Sequence, residues 1–457
     1  MRRILWFRRD LRVEDNTLLS QAGDVLPIFI FDPAILDSLQ KNDRRVTFIF
    51  TALMRLKDDL TLIGLDLALF YGNPTDIFTW LLTQDSFSEV CASGDYDPYA
   101  LERDRNVSHI IEFNPLYDTY IFTLNEVLKN DGTPYLVFTP FYNKAKAVFQ
   151  PEHMAKSPST LQQLINFDYT PIHSINEHGY KTLPISLKSI GFEPQTLTHH
   201  QQKTPQEKLN HFASKLASYS HNRDIMTLEG TSGLGADLRF GTIGVRMVLR
   251  WLVEQKKQGI DTEPFFRQLI FRDFYAMLLA HFPRLTTRNF RYLFKGIENN
   301  DYFQAFCTAQ TGVPIVDAGV KQLLETGEMH NRVRMICASF FTKNLLLPWQ
   351  WGESFFARHL MDYDASSNIL SWQWSAGTGV DPQPYFRIFN PYTQTFKFDK
   401  EGKYIKKYLP ELENIPKKFL ADESLLGQCT IANYLKPIVD HKISSKKALD
   451  YFHSSIP

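Results

Sequence analysis

The segment from Ile28 to Phe31 restricts the fold of this chain more than any other feature, because a large apolar residue occupies every position in it. A strand with one face in water alternates apolar and polar residues, whereas a strand buried on both faces of a parallel sheet is apolar throughout. We therefore predict a buried strand at 25–31, with similar strands at 4–7, 66–71 and 89–92. Helical stretches separate these runs, so residues 1–125 are predicted to form an α/β domain with an open, Rossmann-like parallel sheet.

The remaining sequence changes character twice. Residues 126–200 lack a regular period and contain seven scattered prolines, which predicts an irregular connector on the surface. Helical spacing then replaces strand alternation, so residues 201–457 are predicted to form an all-α domain. This division fits the two or three packed units expected of a chain of 457 residues.

Charge is distributed unevenly, although it sums to zero. Residues 1–200 carry 18 Lys and Arg against 25 Asp and Glu, whereas residues 201–457 carry 32 against 25. A site for a polyanion such as DNA is therefore expected in the second part, and uneven surface charge is the alternative interpretation.

Cysteine usage and hydropathy indicate the compartment. The four cysteines are widely spaced and form no metal-binding pattern, so we predict no metal site and interpret the thiols as reduced and buried. The N-terminus lacks a signal-peptide core, and no apolar stretch is long enough to span a membrane. A cytoplasmic protein is expected.

Two segments have a pattern suited to a phosphate-bearing ring compound. Glycines and hydroxyls are concentrated at 229–235, before an amphipathic stretch, where such a turn binds a phosphate or simply caps a helix. On the predicted helix 264–280, side chains at helical spacing share one face that suits a flat polar ring, or forms an ordinary helix seam. These side chains are Gln268, Phe271, Arg272 and Tyr275.

Two further patterns concern charge and redox chemistry. An arginine-rich segment at 330–335 opens a helix, and an arginine inside a helical domain needs a carboxylate partner such as Asp362 or Asp364. Four of the seven tryptophans lie within 26 residues, where easily oxidised indoles conduct electrons or simply fill a core. They are Trp349, Trp351, Trp372 and Trp374.

Together these segments resemble the photolyase/cryptochrome family over essentially the whole chain. The resemblance rests on 5–12 with Asp15 and Asn16, on 137–143, 229–232, 329–335 and 372–374, and most distinctively on 384–391. It implies an N-terminal antenna domain and a helical domain that binds FAD, which is active in its reduced form. It also implies ultraviolet-damaged DNA as the partner, a monomer without an obligate protein partner, and a second antenna chromophore of unspecified identity.

The resemblance assigns roles to individual side chains. The cofactor-binding positions are Tyr219, Thr231, Ser232, Gly233, Leu234, Gly235, Arg272, Arg334, Asp362, Tyr363, Asp364 and Asn368. The DNA-binding positions are Arg223, Gln268, Phe271, Asn331, Arg332, Trp374 and Gln394, and the catalytic positions are Gln268, Asn331, Met335, Asn368 and Trp374. Trp372 and Trp349 match two members of an electron-transfer series.

One position distinguishes the branches of the family. Asn368 matches the residue that faces flavin N5, where plant cryptochromes carry aspartate and animal cryptochromes carry cysteine. Asparagine resembles the photolyases, so the resemblance implies light-driven repair, with a cryptochrome-type photoreceptor as the alternative. In the implied mechanism, excited reduced flavin lends an electron to a flipped-out pyrimidine dimer and recovers it.

The chain departs from the family pattern at the lesion pocket. Gln268 stands where cyclobutane-dimer enzymes usually have glutamate and (6-4) enzymes have glutamine, and Phe271 replaces a stacking tryptophan. Met335 is typical of cyclobutane-dimer enzymes, since (6-4) photolyases have a catalytic histidine there. We therefore predict a cyclobutane-dimer photolyase, with (6-4) activity as the alternative.

Two departures concern the flavin and its electron supply. Gly235 stands where a serine is common, so only its backbone N–H remains as a donor. No tryptophan occurs near Phe294, where the outer member of the electron-transfer series is expected, which leaves Tyr292 or Trp351 as candidates.

Overall fold

The computed structural model describes residues 2–157, 164–166, 185–429 and 433–455. Three prolines of the predicted connector, at 158, 171 and 184, lie outside these residues, and the predicted boundaries at 125 and 200 stay predictions. The chain divides into two compact units. Unit 1 comprises Met1–Pro134, Phe141–His211 and Ser232–Ala280, and unit 2 comprises Tyr135–Pro140, Phe212–Thr231 and His281–Pro457.

Unit 1 contains a parallel sheet. Its strands, as far as the chain is described, are β1 (Arg2–Trp6), β2 (Gly23–Phe31), β3 (Ala68–Tyr71), β4 (Glu89–Ser93), β5 (Glu112–Leu116) and β6 (Leu164–Asn166). Their order is β3-β2-β1-β4-β5, and β6 pairs with the first residues of β2. All pairings are parallel, and the order reverses beside β1 as in doubly wound sheets. The predicted open parallel sheet is confirmed.

The central strands are buried on both faces, as their apolar sequences predict. Ile28 and Ile30 of β2 belong to one hydrophobic cluster, which also contains Phe78 of the helix Pro74–Gln84. Phe31 belongs to a second cluster, on the other face, with Leu53 and Leu56 of the helix Arg44–Leu62. The absence of alternation in β2 therefore reflects a layer of helices on each side of the sheet.

Helices account for most of the remaining chain. Up to residue 281 they are α1 (Pro33–Leu36), α2 (Arg44–Leu62), α3 (Pro74–Gln84), α4 (Pro98–Ser108), α5 (Phe138–Val148), α6 (His199–Gln202), α7 (Pro205–Leu216), α8 (Tyr219–Asn222), α9 (Gly235–Phe240), α10 (Val245–Lys257) and α11 (Glu263–His281). They continue as α12 (Asn300–Cys307), α13 (Pro314–Thr326), α14 (Asn331–Ser339), α15 (Trp349–His359), α16 (Ala365–Ala376), α17 (Pro391–Phe398), α18 (Lys403–Tyr408), α19 (Lys417–Leu420), α20 (Glu423–Gly427) and α21 (His441–Ser454). The predicted all-α second part is confirmed.

The connector is more regular than its prolines suggested, and this part of the prediction was wrong. Helix α5 lies within it. Pro140 is tolerated because it falls in the first turn of the helix, where a missing N–H breaks no hydrogen bond. Phe141 and Ala145 of α5 are buried, which gives the helix an apolar side to pack.

The polar segment after β1 folds into a buried ion-pair network within unit 1. Arg12 donates to Asp118 Oδ2 at 2.5 Å and to the carbonyl of Asp15 at 2.8 Å. Asp15 has a positive φ of 52° and pairs with Arg250 at 2.6 Å. The polar segment after β1 therefore uses its charged side chains to stabilise a sharp turn instead of contacting solvent.

Unit 2 has a core built from helices α13, α14, α15, α16 and α18. Trp349 and Trp372 both belong to this cluster. Among the described residues, no helix has the length and apolarity to cross a membrane. The four thiols are free, but only Cys91 and Cys337 are buried, so the prediction of burial was wrong for Cys307 and Cys429, which are partly exposed.

Candidate functional site

The predicted site residues divide between the two units. The glycine-rich loop enters unit 1 at Ser232 and leads directly into α9, which begins at Gly235. Gly233 has φ of +67°, and a Cβ there would lie 1.8 Å from His200 Nε2, so only glycine fits. Leu234 precedes the helix without a side-chain cap, which leaves the first N–H groups of α9 to another acceptor. This arrangement suits a phosphate oxygen.

Helix α11 presents the predicted face in unit 1. Gln268, Phe271, Arg272 and Tyr275 are each partly exposed, whereas Phe274 and its apolar neighbours are buried in the core. Arg272 donates through Nη2 to the carbonyl of Leu238 at 3.2 Å, but its Nη1 is buried without a partner among the described residues. A buried, unpartnered guanidinium nitrogen is costly unless a ligand accepts its hydrogen bond.

Unit 2 supplies the predicted ion pair. Arg334 donates through Nη2 to both oxygens of Asp362, at 3.0 and 2.9 Å, and through Nε to the carbonyl of Met329 at 2.8 Å. The two side chains of the pair are each 28% exposed, so one edge of the pair stays accessible. The structure therefore brings Arg334 and Asp362 together, while their contact with flavin stays a prediction.

Asp364 and Asn368 lie at the start of α16. Asp364 caps the helix by accepting the N–H of Ser367 at 3.1 Å. Asn368, which is buried, donates through Nδ2 to Glu353 Oε1 at 2.9 Å and to the Glu353 carbonyl at 3.1 Å. Because Nδ2 is engaged by Glu353, Oδ1 is the side-chain atom of Asn368 that is left to accept a hydrogen bond.

Glu353 is a site residue that the sequence analysis missed. Burial raises the pKa of its carboxyl, although the hydrogen bonds from Asn368 and Tyr363 act in the opposite direction. This places Tyr363 beside the same pair. A glutamate within the apolar context of α15 was the available signal, because such a residue is rarely buried without a polar partner.

The two predicted electron-transfer tryptophans are deeply buried. Trp372 packs edge-on against Phe356, with ring centroids 4.9 Å apart, and a Cβ on Gly352 would lie 2.2 Å from its ring. Trp349 donates through Nε1 to Asn289 Oδ1 at 2.7 Å. Both indoles are therefore held in fixed orientations.

The candidates for the outer electron-transfer residue occupy different surroundings. Tyr292 stacks on Phe294 at 5.1 Å and is 37% exposed, whereas Trp351 contacts Phe303 at 5.2 Å and is partly buried. Exposure suits Tyr292 to exchange electrons with a soluble donor.

Helix α14 presents the predicted lesion residues. Asn331 is exposed and donates to Met335 Sδ at 3.8 Å, so these two side chains adjoin. Arg332 pairs with Asp224 at 2.9 Å and lies over the ring of Phe398 at 4.4 Å, contacts that the sequence did not indicate. The carboxylate and the ring hold the guanidinium in place.

His330 caps α14 through Nδ1, which accepts the N–H of Arg332 at 3.2 Å. Burial lowers the pKa of His330 to about 4, so the imidazole is neutral near pH 7. His330 lies in the motif at 329–335, but the sequence alone does not indicate its role.

The other predicted contacts of unit 2 are partly accessible. Tyr219 is buried against Phe212, and the guanidinium of Arg223 lies 5.8 Å from the Tyr219 ring. Trp374 and Gln394 are each partly exposed, on α16 and α17. Thr231 and Ser232 lie at the boundary between the segments of the two units.

Comparison with known proteins gives consistent relatives over the whole chain. Residues 3–160 match the family described as DNA photolyase, and residues 265–454 match the FAD binding domain of DNA photolyase. The deoxyribodipyrimidine photo-lyase of Alkalihalophilus pseudofirmus is 34% identical over 480 residues, covering 98% of this chain and 97% of that relative.

Solved structures resemble the fold equally broadly. A bacterial class III photolyase from Agrobacterium tumefaciens superposes with a TM-score of 0.86 at 28% identity, covering 99% of this chain and 97% of that one. An archaeal photolyase from Sulfolobus tokodaii, described with two FAD molecules, superposes with a TM-score of 0.82 at 29% identity, covering 99% and 100%.

Proposed function

The chain belongs to the DNA photolyase family, and from that membership we propose that it splits cyclobutane pyrimidine dimers in ultraviolet-damaged DNA. It is an FAD-dependent, light-driven DNA repair enzyme, a deoxyribodipyrimidine photo-lyase. The observation that carries the choice of lesion is Met335, which adjoins the exposed Asn331.

The residues present fit FAD. The first turn of α9 lacks a side-chain cap and suits the phosphate groups, and the buried Arg272 Nη1 lacks an acceptor and suits an acceptor atom of the flavin ring. Within unit 2, Asn368 Oδ1 is an acceptor suited to a ring N–H, and the partly exposed Arg334–Asp362 pair is a charged group suited to a polar ring. Reduced FAD, when bound, supplies the electron that opens the dimer and takes it back.

The protein itself places the lesion and controls its surroundings. Flipping a damaged pair out of the duplex costs a few kcal/mol. Stacking on the partly exposed Trp374 offsets that cost by about 1–3 kcal/mol per base. We assign Gln268 to the base edge, Phe271 to packing against the lesion, and Arg223, Arg332 and Gln394 to the DNA strand.

The cyclobutane dimer is favoured over the (6-4) product because of proton chemistry. Reversal of a (6-4) product requires a proton to move, whereas cleavage of the cyclobutane ring does not. Met335 carries no exchangeable proton, and the neighbouring His330 caps a helix and is neutral, with a pKa of about 4. Neither side chain provides an acidic proton at neutral pH.

Gln268 is expected to weaken the binding of dimer-containing DNA without changing which lesion is repaired. A glutamine still hydrogen-bonds a thymine edge but lacks the charge assistance of a carboxylate, a difference of about 1 kcal/mol. Gln268→Glu is therefore expected to tighten binding of dimer-containing DNA about fivefold.

The test illuminates the reduced holoenzyme with oligonucleotides that carry each lesion separately, and compares it with Gln268→Glu. We expect repair of the cyclobutane dimer and no repair of the (6-4) product. Repair of only the (6-4) product would contradict the lesion assignment, and repair of neither would favour a photoreceptor.

We also propose that the enzyme acts in the cytoplasm as a monomer and needs no obligate protein partner. The free thiols of the chain support a reducing compartment. A second, antenna chromophore stays a prediction, which spectra of the extracted cofactors would test.

A further inference from the structure

Lys343 is a buried cation that the proposed function does not use. Its side chain is fully buried, and no carboxylate of the described residues forms an ion pair with it. Nζ donates to the backbone carbonyls of Tyr385 at 2.9 Å and Arg387 at 3.1 Å. Burial lowers the pKa of Lys343 to about 7, because the charged form loses hydration. A lysine buried without a carboxylate partner lowers the stability of the core. A functional role for its hydrogen bonds would explain why it is there.

The backbone around Lys343 is also unusual. Helix α14 continues into a π-helical turn at Phe340–Asn344, in which each turn contains one residue more than in an α-helix. Wider turns of this kind occur frequently at functional sites. The next residue, Asn344, donates to Ser444 Oγ at 2.9 Å and thereby anchors the turn to α21. The backbone that carries Lys343 is therefore fixed to α21 by this hydrogen bond.

The segment that Lys343 holds is exposed. Phe386 is 62% exposed, and Arg387 is exposed beside it. The turn closes through the N–H of Arg387, which donates to the carbonyl of Pro384 at 2.9 Å. Lys343 binds the carbonyls on either side of Phe386, so one ammonium fixes the backbone that presents both exposed side chains.

The turn lies between two elements that carry proposed DNA contacts. On its N-terminal side, Gln383 donates its N–H to the carbonyl of Trp374 at 3.3 Å, and its Nε2 donates to the carbonyl of Ser375 at 2.8 Å. On its C-terminal side, α17 begins within a few residues and carries Gln394. An exposed aromatic ring and a guanidinium at this position suit base stacking and phosphate binding.

We propose that Lys343 is a positioning residue for DNA recognition, which holds the turn Tyr385–Arg387 in the shape that binds the damaged strand. The inference rests on the proposed function, because it requires lesion DNA to bind this side of unit 2. Lys343 itself touches neither DNA nor the flavin, and it acts through the two carbonyls that it binds.

The experiment measures the dissociation constant of dimer-containing duplex DNA for the holoenzyme and for Lys343→Met, which keeps the length of the side chain but cannot donate. We expect the dissociation constant to rise about tenfold. The FAD content, flavin photoreduction and the yield of repair at saturating DNA should stay unchanged. A general loss of structure would lower all of these together.

Lys321→Met is the matched control, because it makes the same substitution at another lysine of unit 2. Lys321 is partly exposed and pairs with Glu411 at 3.1 Å, so its loss should change affinity only through the general salt-dependent attraction. An equal loss of affinity in both variants would overturn the proposal.

The second variant, Phe386→Ala combined with Arg387→Gln, alters only exposed side chains and keeps the test decisive if Lys343→Met does not fold. We expect this variant to weaken lesion binding to a similar extent. Its combination with Lys343→Met should bind dimer-containing DNA no more weakly than either variant alone. Additive losses would mean that Lys343 does not act through the turn. If the native protein does not prefer damaged DNA, the proposed function fails; if it does and the variants bind equally well, only this inference fails.

Discussion

Asn368→Asp is the substitution whose effect the structure defines most closely. Asn368 Nδ2 lies 2.9 Å from Glu353 Oε1, so an aspartate would place a second carboxylate oxygen where a donor now stands. Two unit charges at that distance repel by about 6 kcal/mol at an effective dielectric constant of about 20. This repulsion corresponds to about 4 pKa units, so the two carboxyls are expected to share one proton near neutral pH.

The sign of the resulting pH dependence follows from proton linkage. The shared proton raises the pKa of the folded pair above that of the unfolded chain, as burial already does for Glu353 in the native protein. The folded variant therefore binds more protons, and its stability relative to native protein falls as the pH rises from about 4 to about 8. Since Glu353 is partly exposed, we expect a loss of about 2–4 kcal/mol at the alkaline end.

Urea unfolding of the native protein and Asn368→Asp between pH 5 and 9 measures this loss. Adding Glu353→Gln should remove the extra pH dependence, since an amide donates to the new carboxylate. Asn106→Asp, on the exposed surface of α4, should show none. At the alkaline end, where the shared proton is lost, the single variant should also lower the flavin reduction potential, because the second carboxylate then opposes further negative charge on the ring. A stability loss that is equal at every pH would refute the reasoning.

Three further predictions concern the flavin and its electron supply. Trp372→Phe should abolish or strongly slow photoreduction of oxidised FAD, because phenylalanine is far harder to oxidise, and normal photoreduction would indicate another route. Gly233→Ala should lower FAD retention and cost about 1–3 kcal/mol of stability plus a clash with His200, whereas Gly64→Ala, with φ of +79° and open space, should show only the backbone cost. Arg334→Gln should reduce FAD content while changing the free energy of unfolding by less than about 1 kcal/mol, because its ion pair is partly exposed; a large loss of stability with FAD retained would contradict this.

The sheet shows which strands a sequence reveals. β2 and β4 lie inside the sheet, and both were predicted from short apolar runs, although only Ile28–Phe31 of β2 is apolar at every position. β5 lies at an edge and is only partly buried, so its sequence, Glu112–Leu116, contains Asn114 and Pro115 and lacks that signal. A proline is tolerated there because an edge strand leaves one row of N–H groups unpaired.

The helical spacing of α11 likewise predicted which of its side chains share one face. Its half-exposed face follows directly from the positions of Gln268, Phe271, Arg272 and Tyr275. The Arg334–Asp362 pair could also be anticipated, because an arginine inside a helical domain needs a carboxylate partner. Local period and charge balance therefore predicted which side chains of α11 are partly exposed and that Arg334 pairs with Asp362.

The side chains behind that layer escaped prediction for a common physical reason. Glu353 holds Asn368, Asp224 holds Arg332, and Lys343 holds an exposed turn, each across a separation that no local pattern encodes. Each is a charged residue on a helix or turn, which by itself is typical of a solvated surface. Lys343 and Glu353, however, stand among large apolar residues in Phe340–Leu347 and Trp349–Phe356. A charge placed there loses its hydration, and this cost is high unless the fold supplies polar partners. A charged residue inside an apolar helical run therefore indicates a positioning contact, even where its partner cannot be named from sequence.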